Sequence, residues 1–248
     1  MDKDFWLHAK RVHADVMAWP DWKKKIAGFK GTEEMSILTP EERVIAYSKA
    51  FPDRPALTYS AEWITGTWAI GACYKNPNKL YGAYPHGYLD RVHSMFPDAR
   101  QVLHVFSGGL TYHAAQDVRD RHSFTRTMPK PPATDMELVD CKGPEDGRFP
   151  TWQGDVTNLP QEWLGRFDLI LADPPYGKEE AKNYGTPMPS ITKVMKELRR
   201  VSRLGASLVW LDTQWPMHSK KDWVTYGHIG LVRSTNHKMR LVSIFRAA

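Results

Sequence analysis

Four consecutive residues, Asp173-Pro174-Pro175-Tyr176, follow the apolar run Phe167-Asp168-Leu169-Ile170-Leu171-Ala172. An aliphatic run closed by breakers is the pattern of a strand buried on both faces, and two prolines cannot continue its hydrogen-bond ladder. The reactive types therefore stand at a strand end, where open α/β sheets place their ligands. Rigid prolines hold the carboxylate before them and the aromatic ring after them in a fixed relation. A carboxylate accepts hydrogen bonds and a tyrosine offers a flat stacking face, so the pair suits a planar group that carries an NH2.

Other chemistry-bearing residues recur at the ends of short apolar runs. Gln101-Val102-Leu103-His104-Val105-Phe106 reads as a strand entering Ser107-Gly108-Gly109, where glycines let backbone approach a ligand. Met136-Glu137-Leu138-Val139-Asp140 is a short strand ending in an acid, and Trp152-Gln153-Gly154-Asp155-Val156 repeats the arrangement. Tyr84 and His86 stand in an aromatic, proline-containing, helix-opening segment, Leu80 to Val92, just before the first of these strands. Singly, each acid reads more readily as a loop cap or a solvated charge. Their order along the chain is what gives them weight.

Taken together, these residues resemble the class I S-adenosylmethionine-dependent amino-methyltransferases that carry a DPPY motif, above all the DNA adenine-N6 methyltransferases. The resemblance covers residues 80 to 246 and implies an α/β fold: a doubly wound, Rossmann-like methyltransferase sheet of seven strands, the last one antiparallel, with an N-terminal helical extension. It implies S-adenosyl-L-methionine as cofactor, with Phe106, Ser107, Gly108 and Gly109 as the turn at its methionine end and Tyr84 covering that end. Asp140 then takes the two ribose hydroxyls, Asp155 accepts from the adenine amine, and Val156 packs on the ring. Asp173, Pro174, Pro175 and Tyr176 become the catalytic set, acting on the exocyclic amine of a nucleobase. Aspartate rather than serine at position 173 leans toward adenine over cytosine. The chain departs from the pattern after Gly109, where Leu110 to Asp120 is short for a first crossover helix and Met128-Pro129-Lys130-Pro131-Pro132 cannot be helical inside. Two alternatives stay open: an RNA guanine-N2 or adenine-N6 methyltransferase, since Asp-Pro-Pro-Tyr-Gly is similar to the loop of guanine-N2 enzymes, and a non-catalytic nucleic-acid-binding module.

Charge points to the same class of partner. The formal net charge is +6, and five of these charges fall in residues 213–248, which hold six basic side chains and one acidic. If the strand read at Val224 to Val232 is parallel, the connection after it returns to the edge that carries Asp173, and Lys220, Lys221, Arg233, Asn236, Lys238 and Arg240 become candidate nucleic-acid contacts. DNA is favoured over RNA, no membrane is expected, and a homodimer is an open assembly state.

The elements that must position these residues can be read around them. Ser207 to Leu211 reads as a fifth strand, Val224 to Val232 as a sixth and Arg240 to Phe245 as a seventh. Residues 1–79 read as a mainly helical extension and 80–248 as the methyltransferase domain. Within the extension, Phe5, Trp6, Val12, Val16, Trp19, Trp22 and Ile26 lie at mostly helical spacing, with a break near Pro20. A second helix begins at Thr39-Pro40-Glu41-Glu42, which supplies a threonine cap, a proline at the first position and acids in the first turn. A chain of 248 residues with 42% hydrophobic content can bury a substantial core. It has no apolar stretch of membrane-spanning length and no signal-peptide layout at its start, so the expected location is the cytoplasm. Cys73 and Cys141 have no partners at metal-ligand spacing, and no metal is expected.

Overall fold

Uninterrupted aliphatic runs can be satisfied only by burial on both faces, and here they become the middle of the sheet. A computed structural model of the chain describes residues 38–71, 84–122, 136–233 and 239–248. Val102–Val105 (β3), Met136–Asp140 (β4) and Phe167–Ala172 (β6) are parallel neighbours, with β3 between the other two and buried at every position. Trp152–Gln153 (β5) pairs parallel with β4 on the outside, and Ser202–Asp212 (β7) pairs parallel with β6 on the other side. Met239–Ala247 (β9) runs antiparallel between β7 and Trp223–Arg233 (β8). These seven strands have the order and directions expected of the Rossmann-like sheet.

The sheet does not stop at seven. Thr58–Ser60 (β1) and Trp63–Ile70 (β2) form a hairpin whose second strand pairs parallel with β8, giving a nine-stranded sheet in the order β1-β2-β8-β9-β7-β6-β3-β4-β5. The mainly helical reading of this segment passed over a period-two pattern: Ile64, Trp68 and Ile70 are buried, while Thr65, Thr67 and Ala69 between them are exposed. Ala61 and Glu62 both take positive φ, 49° and 63°, which is the two-residue hairpin geometry whose twist matches that of the strands. Residues 38–71 accordingly belong to one compact unit with the rest, Leu38–Ala248. The helix read over residues 1–30 lies outside the described residues.

Helices cover the sheet unequally. Pro40–Ala50 (α1), Tyr88–Met95 (α2) and Tyr112–His122 (α3) contribute to the core on one face, with Tyr47, Trp68, Val92, Met95 and Leu169 among its members. α1 starts as its sequence requires, in a reciprocal capping box between Thr39 and Glu42 with proline in the first turn. α3 is three turns long, so the first crossover does contain a helix, opened by the Thr111 hydroxyl accepting from Ala114 N. On the other face Ile191–Val201 (α5) buries Val194, Met195, Leu198 and Val201 against β6 and β7. Lys178–Asn183 (α4) is a short helix beside the motif.

Two buried arginines tie the added N-terminal elements to the rest. Arg91 donates to the Tyr47 hydroxyl (2.8 Å) and to Ala69 O (3.2 Å), linking α2 to α1 and β2. Arg43 makes a two-pronged contact with Asp98, Nη1 to Oδ1 at 2.9 Å and Nη2 to Oδ2 at 3.2 Å, and donates to Met95 O. Removing one member of such a buried pair strands the other charge, at a cost of about 3–5 kcal/mol. Urea unfolding of Arg43→Ala should show a stability loss of about this size, and Arg43→Lys should recover only part of it because an ammonium cannot reproduce the planar fork.

Candidate active site

The four parallel strands β4, β3, β6 and β7 end at one edge, and a cleft of about 980 Å³ opens there. Phe106, Gly108, Asp140, Asp155, Val156, Asp173, Pro174, Pro175, Tyr176, Arg233 and Arg240 all line it. Residues from five expected positions in the sequence thus meet in a single space.

Asp173 leaves β6 where Ala172 lies between Val105 of β3 and Trp210 of β7. The Tyr176 hydroxyl donates to Asp173 Oδ1 at 2.6 Å, so the two prolines fold the motif back on itself and close the acid onto its own aromatic partner. Tyr176 N donates to Glu180 Oε2 at 2.9 Å, which ties the motif to α4. The Arg240 guanidinium lies 4.6 Å from the centre of the Tyr176 ring, a cation over an aromatic face. Burial raises the Asp173 carboxyl to about 7, the Tyr176 hydroxyl and Arg240 pull the other way, and Asp212 and Glu180 push it further up. Tyr176 itself is raised well above its ordinary value by burial and by Asp173, so it remains a donor.

The turn after β3 is strained where it lines the cleft. Phe106 has φ 58° and Gly108 has φ 56°, and a left-handed non-glycine residue persists only where its surroundings hold it. They do: Ser107 N donates to Val139 O, and Gly108 N donates to Asp140 Oδ2 at 2.9 Å. Ser107 is buried with its hydroxyl unpartnered among the described residues, and neither it nor Gly109 reaches the cleft wall.

Asp140 is 4% exposed and already holds three donors: Gly108 N, Lys142 N and Arg148 Nη1, the last at 2.8 Å. Arg148 was absent from the sequence reading. It reaches back because Pro144–Asp146 forms a turn of 3-10 helix closed by Gly147 at φ 73°, which returns the chain to the strand end. The signal that could have found it is an arginine behind a glycine- and proline-bounded turn that follows a strand-terminal acid. Arg148 also faces the Tyr184 ring at 6.0 Å, and Tyr184 lines the cleft at the end of α4. Asp155 is exposed, and its Oδ1 caps the following turn by accepting from Thr157 N at 2.8 Å. Gly154 beside it is packed so closely by the Trp152 indole that a Cβ would lie 2.3 Å from the ring.

Other expected contacts are elsewhere. Tyr84 stacks on Tyr88 (5.5 Å between rings, 17°) and meets His104 edge-on, behind the motif rather than in the cleft wall. Its hydroxyl is buried without a partner among the described residues, and its ionisation is opposed first by burial and then by Asp173, which places it near that acid. His86 is exposed on the turn that opens α2. Lys220 and Lys221 do not flank the reaction centre: β8 is parallel to β7, so the connection must travel the length of the sheet, and both lysines lie at its far end, just before Trp223. Asn236 and Lys238 lie outside the described residues. No group of metal-ligating side chains gathers among the described residues, and no helix among them is long and apolar enough to cross a membrane.

The site carries its own pH dependence. A carboxyl raised to about 7 is protonated below that value and then offers a proton where an acceptor is needed. Any activity that needs Asp173 as an acceptor should rise with pH through about 7 and level off above it, read from kcat/KM because that ratio reports the free enzyme. The same shift means that ionising Asp173 costs stability. Its favourable contribution is full below the usual carboxylate value and is lost as pH rises through about 7. Thermal unfolding at pH 8 should therefore show Asp173→Asn melting above the wild type, with the difference shrinking toward pH 4.

No family model matches the chain, and no curated protein matches it. Among solved structures, similarity is found to the antibiotic-resistance methyltransferase Kmr, at 16% identity and a TM-score of 0.35 over 60% of this chain and 87% of that one. TrmN from Thermus thermophilus matches at 14% identity and a TM-score of 0.39 over 64% of this chain and 48% of that one. The 1,6-didemethyltoxoflavin-N1-methyltransferase of Burkholderia thailandensis, with bound 1,6-didemethyltoxoflavin and S-adenosylhomocysteine, matches at 12% identity and a TM-score of 0.41 over 66% of this chain and 80% of that one.

Proposed function

We propose that the cleft binds S-adenosyl-L-methionine and that the protein transfers its methyl group to an exocyclic amine of a nucleobase, adenine N6 in DNA. The observation that carries this reading is the shared cleft: an acid beside a stacking ring at the end of β6, opening on the same space as the strained turn after β3 and the acids after β4 and β5. The residues present fit the cofactor. Asp140 and Asp155 are acceptors for a ribose and an adenine amine, and the turn from Phe106 to Gly108 brings backbone to the cleft wall. Asp140 must share its oxygens with Arg148, so ribose binding shifts that arginine or leaves it one lone pair.

The cofactor supplies an electrophilic methyl group on a sulfonium, and transfer is an in-line displacement whose main demand on the protein is position. Asp173 Oδ1 is engaged by Tyr176, which leaves Oδ2 for the incoming amine. Accepting one amine hydrogen there, with Pro174 O as a second acceptor, draws the nitrogen lone pair out of conjugation and takes up the proton that the product must lose. Tyr176 offers the target ring the face that Arg240 leaves uncovered. A base in duplex DNA must first leave its stack, and an aromatic pocket offsets part of that cost. Gly177 after the motif also suits an RNA guanine-N2 enzyme, and the test separates the two.

Tritiated cofactor should label DNA, and nucleoside analysis should return N6-methyladenine. N2-methylguanine in RNA would move the protein to the second reading. Asp173→Ala should lower transfer by on the order of a hundredfold or more while cofactor affinity by calorimetry stays the same. Tyr176→Ala should impair transfer through loss of stacking. Robust transfer by Asp173→Ala sinks the mechanism.

A further inference from the structure

Among the described residues, the outer part of one sheet face has no helix. In β2, Ile64, Trp68 and Ile70 belong to the core under α1 and α2, which turns Trp63, Thr65 and Thr67 to the opposite face. In β8, Ile229 and Leu231 belong to that same core, so His228 and Gly230 share the opposite face with Trp63. What lies over β8 there is residues 213–222, which cross the sheet without regular structure.

This face is aromatic and, among the described residues, open. Trp63 and Trp215 each meet the His228 ring edge-on at 5.2 Å, one from β2 and one from the crossing segment. Trp215 is 52% exposed and Met217 78%. Met239, 62% exposed, lays its Cε where a Cβ on Gly230 would stand, so it lies on the same face. Exposed apolar side chains gathered in one place mark an interaction surface. Lys220 and Lys221 stand at its far edge, and at the other end it meets the cleft, which Arg233 and Arg240 line from the face they share with their strand partners Ile70 and Leu231. Arg233 Nε is buried and unpartnered among the described residues.

We propose that this face is the docking surface for the nucleic-acid strand on one side of the target base. The proposal rests on the function proposed above. Stacking rings between cations suit bases joined by phosphates, and the excess of six basic side chains over one acidic in residues 213–248 matches a polyanion rather than an apolar protein. The surface is continuous with the cleft, since Thr213 lines the cleft and begins the crossing segment. From the cleft end of β8 to the lysines before Trp223 is 11 residues or roughly 35 Å, which spans about ten nucleotide steps of one strand. Lys220 and Lys221 then hold the far end of the bound strand.

Fluorescence anisotropy with DNA and RNA oligonucleotides extended on either side of the target tests it. Affinity should grow with extension on one side only, up to about ten nucleotides. Trp215→Ala should weaken the long oligonucleotides about fivefold or more and leave short ones and the cofactor unchanged. Lys220→Gln with Lys221→Gln, both exposed, should do the same and flatten the salt dependence. A photo-crosslinking residue at position 215 should label the oligonucleotide. Labelling of residues 1–37 or of a second copy instead overturns the surface, as does methyl transfer at full rate with length dependence unaltered in both variants. A wild-type protein that methylates no oligonucleotide overturns the proposed function and the surface with it.

Discussion

Everything at the site depends on a carboxyl group held at the end of a buried strand without a direct ion pair among the described residues. β6 is flanked on both sides and buried nearly throughout, so Asp173 emerges into a desolvated floor that raises it to about 7. What steadies it is a neutral donor, the Tyr176 hydroxyl, and a cation that sits over the ring rather than on the acid. A direct salt bridge would have stabilised the charge more and spent the acceptor. The chain keeps the acceptor at a cost in stability.

The strand directions bring the rest to that floor. Parallel β4, β3, β6 and β7 all deliver their carboxyl ends to one edge, which gathers the acids and the strained turn. The antiparallel β9 does the opposite and delivers its beginning: Arg240, its second residue, arrives beside Tyr176 because Leu241 pairs with Asp212 at the end of β7. One reversed strand thus converts a remote arginine into a neighbour of the motif.

Across the cleft, Arg148 and Asp140 do form a charged pair, at 11% and 4% side-chain exposure. Here the acid is neutralised directly, by an arginine and two backbone N–H groups. The two acids therefore behave differently: Asp140 is locked into the frame of the turn after β3, while Asp173 keeps an oxygen for the cleft. That difference follows from the lengths of the segments that follow them, one long enough to bring a cation back and one stiffened by prolines.

Much of this was legible in the residues themselves. The runs ending at Asp140 and Ala172 became strands at those bounds, because a strand buried on both faces writes its burial into composition. The box at Thr39 to Glu42 opened a helix where local hydrogen bonds require one. The convergence of Phe106, Asp140, Asp155 and Asp173 on one cleft was also implicit in their strand-end positions. Only the tertiary structure decided where residues far apart in the chain would meet. Arg240 over Tyr176, Arg148 on Asp140 and the withdrawal of Tyr84 behind the motif depend on which strands neighbour one another and in what direction. Lys220 and Lys221 fell at the far edge for the same reason: a crossover between parallel strands must return to the start of the next strand, and local sequence does not record how far along that path a charge is left. The added hairpin of β1 and β2 was hidden because alternation in β2 becomes burial only once β8 offers an edge and α1 and α2 supply a core.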